Sequence, residues 1–154
     1  MDFLPAKYKK LLTNKSFSIF LVVLVALVVR IYYLIQSNGQ VLWWDEAEYM
    51  SAAKNWAFGV PYQINEQRPP LFQLLAAFLL KFGFGELALK FLLVALPSVT
   101  VVFATYYLGK ELFNSKIGLI ASTATAFVWS IIFWSIRFQP DFLSLTLQLI
   151  ACIF

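Results

Sequence analysis

The sequence predicts an all-α fold: a multi-span membrane helix bundle with two short interfacial helices in its first loop outside the cytoplasm. Three observations predict it. Of the 154 residues, 61% are hydrophobic and 13% are charged, whereas soluble domains have about 45–50% and about 25%. The apolar residues gather in runs as long as a bilayer is thick. The adjacent tryptophans Trp43 and Trp44 and most of the polar groups lie between the first two runs.

Three apolar runs are long enough to cross a membrane, because about 20 helical residues span about 30 Å of hydrocarbon. We predict spans at about 17–35, 87–108 and 117–136. A fourth run, at about 142–154, has about 13 residues and is too short to cross, so it is predicted to be a partial span. We therefore expect the chain to be the front part of something longer.

Lysines set the predicted orientation. Positive residues favour the cytoplasmic side of a membrane, and four lysines precede the first span, namely Lys7, Lys9, Lys10 and Lys15. The N-terminus is therefore predicted to be cytoplasmic in a multi-pass protein of the cell membrane. The residues between the first two spans then form a large loop outside the cytoplasm.

Two short helices are predicted in that loop, at about 45–57 and 69–82. The first follows Trp43 and Trp44, and tryptophan favours the membrane–water interface. The second opens on Pro69 and Pro70, and proline is favoured in the first turn of a helix. Its apolar run is too short to span, so both helices are expected at the interface.

Composition excludes several kinds of chemistry. The chain has no histidine, which excludes a Ser-His-Asp triad and a histidine-ligated zinc within it. Its single cysteine, Cys152, cannot form an intrachain disulfide. The net charge of +4 is modest and its basic residues are scattered, so no nucleic-acid partner is predicted.

Asp45 has two interpretations. With Glu48 three positions later, it is typical of the capping start of a helix. Alternatively, it is a carboxylate held at the interface, where it can act as a base. We expect Glu46 and Glu48 to be solvated surface charges, one of which could orient Asp45 or help to hold a metal.

Arg68 lies just before the second interfacial helix, whose N-terminus favours an anion such as a phosphate. The alternative is an arginine that reaches lipid headgroups. Arg137 and Asp141 are four residues apart and predict a plain exposed ion pair, unless the other outer charges converge on them.

Arg30 lies in the outward half of the first span and is expected to reach the interface; facing the bundle, it would pair with an outer-loop acid. Two other features indicate helix packing. Gly118, Ser122 and Ala126 form a small-residue face, and Pro97 predicts a kink in the second span.

Four motifs in this order resemble the N-terminal part of C-type integral membrane glycosyltransferases, in the protein O-mannosyltransferase and aminoarabinose-transferase branch. They are Asp-Glu at 45–46, Arg-Pro-Pro-Leu at 68–71, Leu-Gly-Lys-Glu-Leu-Phe at 108–113 and Ile-Arg-Phe-Gln-Pro-Asp at 136–141. The likeness covers about residues 45–154.

The resemblance implies transfer of a sugar from a polyprenyl-phosphate donor to a hydroxyl of a protein, lipid or glycan acceptor, on the extracytoplasmic face. It implies that Asp45 is the catalytic base, with Glu46 and Asp141 as secondary acidic residues. It further implies that Arg68 and Arg137 bind the donor phosphate. The residues indicate no cofactor, and they leave open whether a divalent metal ion is bound.

Members of this family have many more spans, so the chain is expected to be truncated, with the C-terminal part absent or supplied as a separate chain. Two alternatives remain. One is a small non-enzymatic membrane protein that associates through the face of Gly118, Ser122 and Ala126. The other is the front end of a transporter, with Arg30 and Lys90 lining its path.

Overall fold

The computed structural model describes residues 15–63, 65 and 67–153, and all regular structure within them is helical. The predicted all-α class is therefore confirmed for this part of the chain. The described residues form seven helices: α1 Lys15–Gln36, α2 Trp44–Phe58, α3 Pro70–Lys81, α4 Glu86–Leu112, α5 Ser115–Phe127, α6 Trp129–Trp134 and α7 Asp141–Ile153. Lys7, Lys9 and Lys10, which orient the predicted topology, lie outside the described residues.

Helix α4 is the centre of the bundle. It has 27 residues, which corresponds to about 40 Å at about 1.5 Å per residue. Helices α1, α5 and α7 all pack against it. Among the described residues, α1 and α4 are the two helices that are long and apolar enough to cross a membrane.

Helix α4 is irregular where the sequence predicts a kink. Residues Phe91–Ala95 form a π-helical turn just before Pro97. Because proline has no N–H and its ring crowds the preceding turn, an α-helix must deform next to it. The carbonyl of Pro97 accepts a hydrogen bond from the Thr146 hydroxyl at 3.0 Å, which ties α7 to α4.

Helices α4 and α5 approach closely through two glycines. A Cβ atom added to Gly118 would lie 2.5 Å from the carbonyl oxygen of Tyr106, and one added to Gly109 would lie 2.8 Å from the Cα of Gly118. Ser122 and Ala126 continue this buried face. The small-residue face is therefore used inside the chain, which removes the basis for the alternative of a protein that associates through it.

The predicted span 117–136 is not one continuous helix. Helix α5 ends at Phe127, Val128 takes extended dihedral angles, and α6 begins at Trp129. This stretch contains no proline, so nothing in its own sequence predicts the break.

Arg30 contacts the broken end of α5. Its side chain is fully buried, and Nη1 donates to the carbonyl oxygens of Ala126 at 3.2 Å and Ala26 at 3.1 Å. Its Nε donates to the Ser98 hydroxyl at 2.8 Å. The last carbonyls of a helix have no partner within it, so Arg30 caps α5. The expectation that Arg30 reaches the interface is wrong, and its partners are a hydroxyl and carbonyls, not an acid.

Helices α2 and α3 pack against each other at one end of the bundle, which we call the outer end. The buried face of α2 meets α3 and the loop between α6 and α7. The shared core contains Tyr49, Met50, Ala53, Phe72, Ala76, Ala77 and Phe138. One face of helix α2 is therefore buried against the rest of the protein.

Candidate active site

The two acidic side chains in the first turn of α2, Asp45 and Glu46, have different partners. The helix begins at Trp44 with Trp43 as the N-cap residue, so Asp45 lies inside the first turn. The Glu46 carboxylate accepts the backbone N–H of Trp43 at 2.8 Å. The interpretation of Asp45 as the capping residue is therefore wrong, because the N-cap is Trp43 and the capping contact is made by Glu46.

Asp45, Glu48 and Arg68 form one ion-paired group, which we call the outer triad. Nη2 of Arg68 lies 2.5 Å from Oδ1 of Asp45, and Nε of Arg68 donates to Oε2 of Glu48 at 2.9 Å. The side chains are 29%, 46% and 23% exposed for Arg68, Asp45 and Glu48. The structure thus brings together the predicted base and the predicted phosphate ligand, and it adds Glu48, which is ion-paired and not the solvated surface charge that the sequence predicts.

The outer triad holds two negative charges and one positive charge. The pKa of the Arg68 guanidinium is raised above its ordinary value, chiefly by the hydrogen bond to Asp45, so Arg68 stays charged. Its Cζ lies 5.3 Å from the centre of the Tyr49 ring. Burial raises the pKa of Tyr49, opposed by Arg68 and assisted by the charges of Asp141 and Asp45. Tyr49 is not among the predicted site residues, and it occupies a buried position of α2.

Glu46, Arg137 and the backbone N–H of Phe138 form a second group, which we call the buried clamp. The Glu46 side chain is fully buried. Oε1 accepts the backbone N–H of Phe138 at 2.6 Å, and Oε2 lies 3.6 Å from Nη1 of Arg137. The buried clamp therefore joins the start of α2 to the loop between α6 and α7. The expectation that Glu46 is a solvated charge is wrong.

Arg137 is buried in the same place. Its Cζ lies 4.0 Å from the centre of the Trp43 ring and 5.0 Å from that of Phe133. Its ion-pair partner is Glu46, whereas the sequence suggested Asp141. The Nε of Arg137 is buried without a hydrogen-bond partner.

Asp141 is the first residue of α7 and is exposed. A carboxylate in the first turn favours the helix because it opposes the positive end of the helix dipole. Its charge acts on Tyr49, so Asp141 lies within electrostatic reach of the outer triad. As for metals, the described residues include no group of three or more His, Cys, Asp or Glu side chains that could hold one.

Arg68, Arg137 and Asp141 thus lie at one end of the bundle. A family model described as dolichyl-phosphate-mannose-protein mannosyltransferase matches residues 67–154, which is more than half of the chain. The chain belongs to this family. The resemblance to membrane glycosyltransferases is thereby confirmed, and the mannosyltransferase family is an enzyme family. No curated protein and no solved structure matches the chain.

The family model covers only part of the candidate site. The matched residues of the mannosyltransferase family include Arg68, Arg137 and Asp141, whereas Asp45 and Glu46 lie before residue 67. The contact between Asp45 and Arg68 therefore joins the matched part of the chain to the part that precedes it.

Proposed function

We propose that this chain transfers a sugar from a polyprenyl-phosphate donor to an acceptor hydroxyl, with Asp45 as the base and Arg68 as the phosphate ligand. The contact between Asp45 and Arg68 carries the proposal. These residues are 23 positions apart in the chain, yet their partly exposed side chains form an ion pair, and the Arg68 guanidinium also contacts the Tyr49 ring. A base and a cation that meet in this way suit a reaction whose leaving group is a phosphate.

The reaction is a single displacement. Asp45 accepts the proton of the acceptor hydroxyl, whose oxygen attacks the anomeric carbon of the sugar. The bond between that carbon and the phosphate oxygen breaks, and the electron pair leaves with the polyprenyl phosphate. Arg68 stabilises the negative charge that the phosphate gains. Attack opposite the leaving group inverts the anomeric carbon.

The outer triad gives Arg68 a second role before the donor binds. Each of its two carboxylates accepts a charge-assisted hydrogen bond from the guanidinium, so the oxygen lone pairs that Arg68 occupies are not available to the proton of an acceptor hydroxyl. A phosphate is a strong ligand for the same guanidinium. Donor binding at Arg68 therefore competes with the carboxylates and releases Asp45 to act as the base.

Arg137 has a different part in this proposal from the one that the resemblance implies. Its guanidinium lies against Trp43, beside Phe133 and Glu46, and its side chain is 10% exposed. We therefore propose that Arg137 positions the loop that leads to Asp141, whereas Arg68 is the phosphate ligand. Asp141 remains the second acidic residue near the reacting atoms.

The proposed site lies on the extracytoplasmic face of the cell membrane in a multi-pass arrangement. Lys110 is near the end of α4 that is remote from Glu86 and the outer end. Because lysines favour the cytoplasmic side, this placement supports an outer end that faces away from the cytoplasm.

Asp45→Asn tests the proposal. The full chain, reconstituted in liposomes, is given polyprenyl phosphate mannose and a peptide rich in serine and threonine, and mannose transfer is measured. The rate should fall about 10²–10⁴-fold, because the amide cannot accept the proton. Glu111→Gln is the matched control, since this carboxylate is 64% exposed near the opposite end of α4.

The control should transfer mannose at the wild-type rate. Equal rates for Asp45→Asn and wild type would remove Asp45 from the mechanism. A wild-type chain that neither binds nor turns over the donor would contradict the proposed function as a whole.

A further inference from the structure

A cavity of about 410 Å³ lies between α6 and the start of α7, and the proposed displacement uses only one of its wall residues. Its lining residues are Ser130, Ile131, Trp134, Gln139, Asp141 and Phe142. Small-ligand sites commonly have volumes of about 300–1,000 Å³, so the cavity is large enough for one hexose unit. It is open to the surface, and Trp134 is 41% exposed.

The wall chemistry suits a sugar. A hydroxyl, an amide and a carboxylate, from Ser130, Gln139 and Asp141, offer both donors and acceptors to sugar hydroxyls. The indole of Trp134 supplies a flat apolar face with a polar edge, which can cover the C–H face of a pyranose. Ile131 and Phe142 complete an apolar floor, and a mixture of this kind is typical of small-molecule sites.

The cavity adjoins the outer triad. The ring of Trp134 lies 6.1 Å from that of Trp43, two residues before Asp45. Asp141, which also lines the cavity, acts electrostatically on Tyr49, whose ring contacts the Arg68 guanidinium. A donor whose phosphate is at Arg68 therefore has the cavity beside it.

The buried clamp holds the cavity wall in place before any ligand binds. Glu46 accepts the backbone N–H of Phe138 at 2.6 Å, and the N–H of the next residue, Gln139, donates to the Arg137 carbonyl at 2.8 Å. A site that is fixed in advance loses less conformational entropy when its ligand binds.

We infer that this cavity is the subsite for the sugar unit of the donor, an inference that rests on the proposed function. Trp134 covers the ring and Gln139 binds its hydroxyls, while Asp141 is the wall residue near the anomeric carbon of the sugar. Trp134 and Gln139 thereby determine that the donor carries a sugar of hexose size.

Donor binding with and without the sugar tests this inference. The full chain in lipid nanodiscs is titrated with polyprenyl phosphate mannose and with the same polyprenyl phosphate lacking mannose, and both dissociation constants are measured by calorimetry. The wild type should bind the mannose lipid more tightly. Trp134→Ala and Gln139→Leu should each weaken mannose-lipid binding about tenfold, which is the effect of losing about 1.4 kcal/mol of contacts, and leave the other lipid unchanged.

Trp129→Ala is the matched control, because Trp129 is on the same helix, is 59% exposed and is outside the cavity wall. It should leave both dissociation constants unchanged. Gln139→Leu conserves volume, so it keeps the test decisive if removal of the indole unfolds α6.

Three results overturn the inference in distinguishable ways. Equal wild-type affinity for the two lipids, or unchanged mannose-lipid binding in both cavity variants, removes the sugar subsite and leaves the phosphate site intact. Loss of acceptor-peptide binding without loss of donor binding assigns the cavity to the acceptor. A wild-type chain that binds neither lipid contradicts the proposed function itself.

Discussion

The outer triad and the buried clamp are built from the same residue types, yet the chain uses them differently. Asp45 and Glu46 are adjacent, and each is paired with an arginine from a distant segment. The Asp45 side chain is 46% exposed, whereas that of Glu46 is 1% exposed. Water screens the first pair, which can therefore exchange partners. The second is enclosed and has two backbone N–H groups as additional donors.

This difference in exposure supports the roles proposed for the two acids. An exposed ion pair contributes about 0–1 kcal/mol, so a ligand can displace it at small cost. A buried carboxylate that satisfies several donors cannot leave without exposing them, because unpaired buried polar groups are costly. Under the proposed function, the exposed Asp45 is therefore the residue that can act as the base, whereas the buried Glu46 joins the start of α2 to the loop between α6 and α7.

Glu46→Ala should have the largest effect on stability. It leaves the Arg137 guanidinium and the N–H groups of Trp43 and Phe138 without their acceptor, and breaking a buried pair costs about 3–5 kcal/mol. Glu48→Ala, in the outer triad, should change the free energy of unfolding by less than about 1 kcal/mol. Denaturant unfolding of both variants in the same micelles measures the two values. Equal losses would erase the distinction between the two groups.

Substitution of Arg137 and Arg68 tests the same difference between the buried clamp and the outer triad. Arg137→Met removes a partner of Glu46 and the contact with Trp43, so the free energy of unfolding should fall by about 2–3 kcal/mol. Arg68→Met should cost under about 1 kcal/mol but abolish binding of the polyprenyl phosphate. Denaturant unfolding of both variants measures the loss of stability, and titration with polyprenyl phosphate measures the loss of binding. The idea fails if Arg68→Met is the more destabilising change.

Tyr49 predicts a smaller, pH-dependent effect. Its ordinary pKa is 10.0, and burial raises the pKa in the folded state. Below pH 10 both states are protonated and the stability from this group is fully present. As the pH rises from there through the folded-state pKa, the unfolded chain loses its proton first, so the free energy of unfolding falls.

Tyr49→Phe should remove this alkaline loss. The measurement is the difference in free energy of unfolding between wild type and the variant at successive pH values above neutrality. This difference should be constant up to about pH 10 and then shrink. A constant difference throughout would show that Tyr49 titrates as a solvated tyrosine does.

Several elements of the fold could be predicted from the sequence. Long apolar runs and prolines give the approximate positions of α1, α3 and α4, because a helix in lipid must be apolar and proline favours the first turn. The family resemblance assigns Asp45 and Arg68 to one site, and the structure adds that they pair directly. The small-residue face is also visible in the sequence, although its partner inside the chain is not.

The break at Val128 could not be predicted from residues 117–136, because its stabilising partner is elsewhere. The carbonyl that α5 leaves free at Ala126 is capped by Arg30, 96 positions earlier in the chain. The position of Arg30 also explains why it does not reach the interface. A charge buried in lipid needs internal partners, and the helix end and Ser98 provide them.

The sequence by itself determined that the secondary structure is helical and that the long helices are apolar enough for a lipid environment. Its apolar runs call for helices, since in lipid every backbone polar group must be satisfied internally. Only the tertiary structure decided which of two adjacent carboxylates is buried and which is exposed. Asp45 and Glu46 differ by about 100° around α2, and nothing local distinguishes them. The loop between α6 and α7 covers one of them and leaves the other in water.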